Sequence, residues 1–129
     1  MQYSIEHFLQ KGEFELMKPI LSKAQLGYSK AKRKFEDKSK VLEKRIEEIT
    51  KEQEVTQEIM EGLVVETGFH EAFNELRNAE NELIEWSHNT MKHEKEYKDN
   101  KQAIDDMYLK LNSDPKMRSR IIQLAMRVR

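Results

Sequence analysis

One pair of side chains in this sequence has the spacing of a metal site. Glu85 and His88 are three residues apart, so on a helix they share one face. Di-iron proteins of the four-helix class hold their metals with this Glu-x-x-His arrangement, but they use two copies of it. A second copy is missing here, and the apolar stripe that contains Leu83 turns the pair outward. We therefore interpret the pair as part of a solvated helix face.

Basic side chains are concentrated in two places. From Lys116 onward the chain has five cations and no acid, while Met117, Ile121, Leu124 and Val128 recur along one helical face. This pattern predicts a basic amphipathic helix. Three interpretations stay open: the apolar face docks on the rest of the protein, the cations contact nucleic-acid phosphates, or the helix enters an acidic partner's groove or a membrane surface. With the second basic run, the candidate contacts to a partner or to nucleic acid are Lys30, Lys32, Arg33, Lys34, Lys116, Arg118, Arg120, Arg127 and Arg129.

Acidic side chains are concentrated in the middle of the chain. The whole sequence has a net charge of −1, but residues 46–85 contain twelve acids and two bases. Uneven charge of this kind bears on association more than on fold. We expect an acidic surface that a partner could recognise, formed by Glu54, Glu58, Glu61 and Glu71.

Two series of residues at seven-residue intervals predict the helices that position these charges. Each series is apolar except for one threonine, as a stripe that faces one partner helix requires. The simplest fold is all-α: a long antiparallel, coiled-coil-like hairpin with arms of ~60 Å at 1.5 Å per residue. The first series is Leu21, Tyr28, Phe35, Leu42, Ile49, Thr56 and Leu63. The second is Phe69, Leu76, Leu83, Thr90, Tyr97, Ile104 and Leu111.

Proline, glycine and capping residues predict the boundaries. Pro19 fits only the first turn of a helix, Gly62 and Gly68 favour a turn, and the run after Gly68 has no proline or glycine as far as Leu111. Ser4 is expected to cap a short helix over residues 4–11. We predict a single helical domain with an N-terminal short helix and turn (1–17), a first arm (18–61), a tip (62–68), a second arm (69–111) and a C-terminal helix (115–128).

The predicted pairing of the arms leaves their interface polar. It places Arg45 opposite Trp86 and Lys38 opposite His93, so the seam buries little apolar surface. Several apolar residues lie off the seam and need another surface. Long two-helix rods rarely bury enough area alone, so we expect a homo-oligomer. The residues off the seam are Val41, Ile46, Val55, Met60, Ile84 and Met91.

The composition argues against several classes of function. The sequence has no cysteine for a thiolate nucleophile or thiolate metal site, and its four glycines are scattered. No grouping of serine, histidine and acid has a known catalytic spacing, and two long helices offer no obvious concave pocket. We expect no enzyme activity, cofactor, metal or small-molecule substrate.

Two hypotheses about function remain. The first residues lack the basic and apolar blocks of a secretory signal, and no apolar run approaches about 18 residues, so we expect a cytoplasmic protein with no membrane span. The first hypothesis is a non-enzymatic helical interaction protein, an adaptor, scaffold or regulator that acts through contacts with other proteins and with itself. The alternative is a nucleic-acid-binding accessory protein that uses the basic C-terminal helix and the Lys30 to Lys34 patch.

Overall fold

The fold is all-α, as the sequence predicts. The computed structural model describes residues 8–10 and 18–128, in which no strand occurs. Residues 8–10 are helical, and the rest of the predicted segment 1–17 lies outside the described residues. The helices are α1 (Lys18–Thr50), α2 (Gln57–Glu66), α3 (Phe69–Met91), α4 (Lys95–Asp99), α5 (Lys101–Lys110) and α6 (Pro115–Arg127), with a 3-10 turn at Leu111–Ser113 before α6.

Helices α1 and α3 pack as a hairpin, but the chain turns earlier than predicted. The first arm is helical from Lys18, where the described residues resume, and it ends at Thr50 and not at residue 61. Helix α2 starts after Thr56, whose hydroxyl accepts a hydrogen bond from the backbone N–H of Ile59 at 3.2 Å. A threonine in this position satisfies one of the unpaired N–H groups of a helix start. Thr56 is therefore a cap and not a position of the apolar stripe, and the turn lies at residues 51–56.

The predicted tip, residues 62–68, belongs to the second arm instead. Gly62 lies inside α2, and α2 is separated from α3 by Thr67 and Gly68 alone. Gly68 has a φ of 79°, and its N–H donates to the carbonyl of Val65 at 3.1 Å. Glycine adopts this left-handed conformation without the steric cost that a side chain adds. Gly68 therefore ends one helix and lets the next begin at once.

The earlier turn shifts the register of the arms. The ring of Phe35 lies 5.3 Å from that of Phe69, and the guanidinium of Arg45 lies 3.7 Å from the carboxylate of Glu66. The predicted pairs of Arg45 with Trp86 and of Lys38 with His93 are therefore wrong. Because the turn comes earlier in the chain, each residue of α1 meets an earlier residue of the second arm.

The second arm is also shorter than the predicted segment 69–111. Helix α3 ends at Met91, where the N–H of Glu94 donates to the Met91 carbonyl at 2.9 Å, and two short helices follow. No proline or glycine marks this break. The buried residues Tyr97, Ile104 and Tyr108 belong to the short helices. Their burial shows how packing overrides the helix propensity of an uninterrupted run.

The chain divides into two compact units. The core unit comprises residues 1–25 and 80–129, and the hairpin unit comprises residues 26–79. The described part of the core unit buries large side chains from almost every helix. Ile84 and Met91, which were expected to need another surface, are buried there, with Met91 fully enclosed. The side chains with less than 2% exposure include Phe8, Leu21, Leu83, Met91, Ile104, Leu111 and Ile121.

Helix α6 docks in the core unit through its apolar face. The predicted range, 115–128, differs from Pro115–Arg127 by one residue, and Asp114 caps its start by accepting from the N–H of Met117 at 3.1 Å. The amide of Gln25 donates to the carbonyls of Ala125 and Val128 at 2.8 and 2.9 Å. These bonds satisfy carbonyls that a helix end leaves without partners. Of the three interpretations of this helix, docking of its apolar face is the one seen in the structure.

The hairpin unit has a much thinner core. All of its 54 residues are described, and only Leu42, Leu63, Thr67, Ala72 and Ala79 are buried. Its two arms, α1 on one side and α2 with α3 on the other, face each other along one stripe and have no third layer to cover the remaining apolar atoms. Within the described part of the chain, no helix has the length and apolar character that crossing a bilayer requires.

Candidate functional surfaces

Three phenylalanines form an incompletely buried cluster on the hairpin unit. The ring of Phe35 lies 5.3 Å from that of Phe69 and 6.2 Å from that of Phe73, with tilted geometry in both pairs. None of the three is buried, and Phe73 is 45% exposed. We call these residues the aromatic cluster. The seven-residue series contain Phe35 and Phe69 but not Phe73. Phe73 lies four residues after Phe69, and this spacing predicts that the two share one helix face.

Other large apolar side chains of the hairpin unit also face solvent. Val41 is 44% exposed, as expected of a residue off the seam, and Leu26 and Val65 are 56% and 69% exposed. Ile46, Val55 and Met60, also expected to lie off the seam, are half-buried. Single exposed apolar residues are normal on protein surfaces. Their number in a unit with five buried residues indicates that the hairpin has apolar surface to spare.

The basic run of α1 is less uniform than the sequence suggests. Lys30, Lys32 and Arg33 are exposed and form no ion pair with any described residue. The ammonium of Lys34 instead lies 3.0 Å from the carboxylate of Glu75. This hydrogen bond raises the pKa of Lys34 above its ordinary value, against a smaller opposing effect of burial. Three of the four predicted contacts in this run thus remain available to a partner.

The cations of α6 divide into inward and outward sets. Arg118, predicted to contact a partner, is only 5% exposed. It lies three and four residues before the buried Ile121 and Ile122, a spacing that places it on the inner face. Lys116 and Arg127 are exposed, Arg120 is half-buried, and Arg129 lies outside the described residues.

Arg118 is held by three side chains of the core unit. Its Nη2 donates to Oδ1 of Asn81 at 2.7 Å and lies 3.5 Å from Oε1 of Glu80, and its Nη1 donates to Oδ1 of Asn112 at 3.4 Å. Its Nε is buried without a hydrogen-bond partner among the described residues. The guanidinium therefore connects α6 to α3, which makes Arg118 a structural residue.

The predicted acidic surface is exposed on the hairpin unit. Glu54 lies in the turn, Glu58 and Glu61 lie on α2, and Glu71 lies in the first turn of α3. Glu58 and Glu61 share the face of α2 that also exposes Val65. An acid in the first turn of a helix is favoured by the helix dipole, and Glu71 has this position in α3.

The core unit contains a polar cluster of His88, Tyr97, Asp105 and Tyr108 that the sequence did not predict. Nε2 of His88 lies 2.8 Å from Oδ1 of Asp105, and the hydroxyl of Tyr97 donates to the same oxygen at 2.8 Å. The imidazole stacks on the ring of Tyr108 with 4.1 Å between ring centroids. The prediction that His88 lies on a solvated outer face is therefore wrong, whereas Glu85 is exposed. Helix α3 ends at Met91, and α5 then folds back onto α3. The predicted second arm was one uninterrupted helix, which does not allow this contact.

The hydrogen bonds of this cluster shift two pKa values. The bonds from His88 and then Tyr97 lower the pKa of Asp105 below its ordinary value, because they stabilise the carboxylate. Burial raises the pKa of Tyr97, and its bond to Asp105 raises it further. The cluster thus joins α3, α4 and α5 through one carboxylate oxygen.

The cluster borders an open groove of about 460 Å³. Its walls include Ile84, His88, Leu109 and Arg118, and it exists because α5 and α6 fold back on α3, which two long helices did not suggest. Ser87 is adjacent in sequence to His88 but is fully buried, with its hydroxyl 2.6 Å from that of Tyr108. Among the described residues, no group of three or more histidines and acids could hold a metal ion.

Replacing Arg118 should destabilise the core unit. Arg118→Met keeps most of the volume but removes the guanidinium that donates to Asn81 and Asn112 and pairs with Glu80, and we expect a loss of about 3 kcal/mol in the free energy of unfolding. Arg127→Met is the matched control on the same helix, with an expected change within about 0.5 kcal/mol because Arg127 is exposed. Urea unfolding followed by the fluorescence of Trp86, the sole tryptophan, measures both. Equal unfolding midpoints would contradict the structural role.

Acid should remove the contribution of Asp105. Because its folded pKa is lowered, its carboxylate adds stability above the unfolded value of about 3.9, and this addition is lost as the pH falls through the lower folded value. We therefore expect the stability advantage of wild type over Asp105→Asn to shrink as the pH falls from about 5 to below the unfolded value. Urea titrations across this range test it, with Asp106→Asn as control, since that carboxylate accepts from Gln102 on its own helix. An advantage that stays constant argues against the bond to His88.

Comparison with protein-family models, with curated proteins and with solved structures finds no match to this chain.

Proposed function

We propose that this chain is a non-enzymatic interaction protein, an adaptor, scaffold or regulator whose hairpin unit binds other protein chains. The observation that carries the proposal is the aromatic cluster, three rings left partly exposed on a unit with five buried residues. Aromatic side chains that become buried on binding dominate the energy of protein interfaces.

Self-association of hairpin units is part of this proposal. A second copy would give the two-helix layer the third and fourth helices that its exposed apolar residues lack, in a coiled-coil-like bundle. The proposal is for a cytoplasmic protein, and a chain without cysteine is compatible with a reducing compartment. The exposed Glu54, Glu58, Glu61 and Glu71 add an acidic surface to the same unit for a basic protein partner.

Phe73→Ser should weaken self-association. Burying the exposed part of one phenylalanine is worth ~1.5 kcal/mol or more, so we expect the dissociation constant to rise about tenfold or more. Sedimentation velocity across a concentration series measures the change, and circular dichroism should show an unchanged helix content because Phe73 is already 45% exposed. Leu109→Ser, at a residue 77% exposed in the core unit, is the matched control. If the two substitutions raise the dissociation constant equally, the aromatic cluster has no specific role in self-association.

A second function, nucleic-acid binding, is favoured by the unpaired cations. Lys30, Lys32 and Arg33 on α1, with Lys116 and Arg127 on α6, are exposed and form no ion pair with a described residue. Binding to phosphates releases counterions and therefore weakens steeply with salt, whereas burial of apolar surface does not. Arg118 is left out of this set because it is buried, and it would confound any test that included it.

If nucleic acid binds, Lys116→Ala with Arg127→Ala should flatten the salt dependence. Loss of two phosphate contacts should lower the log–log slope by roughly 1.5, with the affinity reduced for all sequences alike. A gel shift with a salt titration measures this, and Lys92→Ala with Lys98→Ala is the control for charge alone, because Lys92 is exposed in the turn after α3 and Lys98 is exposed on α4. No binding by the wild type at low salt would remove this function, and a slope lowered equally by both pairs would remove the site.

A further inference from the structure

Four charged side chains alternate in sign along one face of α1. Lys32, Glu36, Lys40 and Glu43 follow one another at spacings of four, four and three residues, which keeps them within about 80° of the helix circumference. All four are exposed. We call this set the charge stripe. It lies entirely within the hairpin unit.

The charge stripe has no partner among the described residues. Elsewhere in the hairpin unit, Lys34 pairs with Glu75 and Arg45 pairs with Glu48, at 3.0 and 3.1 Å. Lys32, Glu36, Lys40 and Glu43 form no ion pair or hydrogen bond with any described residue, either along α1 or across to the second arm. Their charges therefore remain available to a surface outside the chain.

The order of the charges determines which kind of partner surface can pair with the charge stripe. Read from Lys32 the signs are plus, minus, plus, minus, and read from the other end every sign is reversed. When two identical stripes meet antiparallel, Lys32 faces Glu43 of the second copy and Glu36 faces its Lys40, and the twofold axis repeats both pairs. A parallel copy in register places like charges opposite one another. A partner of one sign, such as nucleic acid, meets repulsion from half of the stripe.

The aromatic cluster flanks the charge stripe on the same side of the hairpin. On α1, Lys34 lies about 100° to one side of Phe35, and this is the side on which it pairs with Glu75. Glu36, a member of the charge stripe, lies about 100° to the other side of Phe35. Phe73 lies about 160° around α3 from Glu75, so it is on the side of the charge stripe. Exposed ion pairs add little to affinity, so the phenylalanines supply affinity and the charges supply orientation.

We propose that the charge stripe is the recognition element of an antiparallel homodimer, in which α1 of one chain packs on α1 of a second copy beside the two aromatic clusters. This inference rests on the proposed self-association and specifies its geometry. It assigns the exposed charges of α1 to a self-complementary interface, which a partner of a different sequence would have to match charge by charge.

Charge reversal in two complementary variants tests the pairing. Lys32→Glu with Lys40→Glu makes the stripe wholly acidic, and Glu36→Lys with Glu43→Lys makes it wholly basic. By sedimentation velocity we expect each variant alone to be monomeric at concentrations where the wild type is dimeric, and an equimolar mixture to form the dimer again. Lys23→Glu with Lys30→Glu changes the net charge by the same amount as the acidic variant, at positions about 80° or more around α1 from every residue of the charge stripe, and should leave the wild-type dimer intact.

The orientation is measured separately on the wild-type stripe. Because the chain lacks cysteine, Gly27→Cys gives a single site for a nitroxide label, and its β-carbon meets nothing within 4 Å. Two such labels lie about 30 Å apart along an antiparallel pair and within about 15 Å in a parallel one. A short distance overturns the antiparallel arrangement. Dimers that survive both reversals overturn the charge stripe but not self-association, whereas a monomeric wild type overturns self-association itself.

Discussion

The buried guanidinium of Arg118 is the interaction on which the core unit depends. A charge removed from water is stabilised only when its hydrogen bonds are satisfied, and here two amides and one carboxylate provide most of them. Since Asn81 and Glu80 belong to α3, the bonds determine where α6 lies against α3, and the isoleucines of α6 then fill the core. The fold thus uses a cation of its most basic segment for packing.

The sequence predicted those features that depend on local chemistry. The all-α class and the C-terminal helix after Asp114 were both confirmed, because proline, capping residues and apolar spacing act within a few residues. The position of the hairpin turn was wrong, since Thr56 fits both an apolar series and a helix cap. An error of this kind propagates, and it displaced every predicted pair across the arms.

The polar contacts of the core unit could not be read from the sequence in the same way. His88 contacts Asp105 only because helix α3 ends at Met91, and no residue type in the sequence marks that helix end. The buried Arg118 was detectable in principle, because its spacing to Ile121 and Ile122 is that of an inner face. Its charge argued against burial, because arginine is seldom found inside a protein unless it is paired.

Gly68 determines how the hairpin unit can vary in sequence. More than half of its positions are exposed, and there one polar side chain can replace another at little cost. Gly68 differs, because its φ of 79° strains any residue with a β-carbon and such a carbon would lie 3.4 Å from the side chain of Lys38. The surface of this unit can therefore change in sequence without altering the fold, whereas the geometry of the second arm depends on a single glycine.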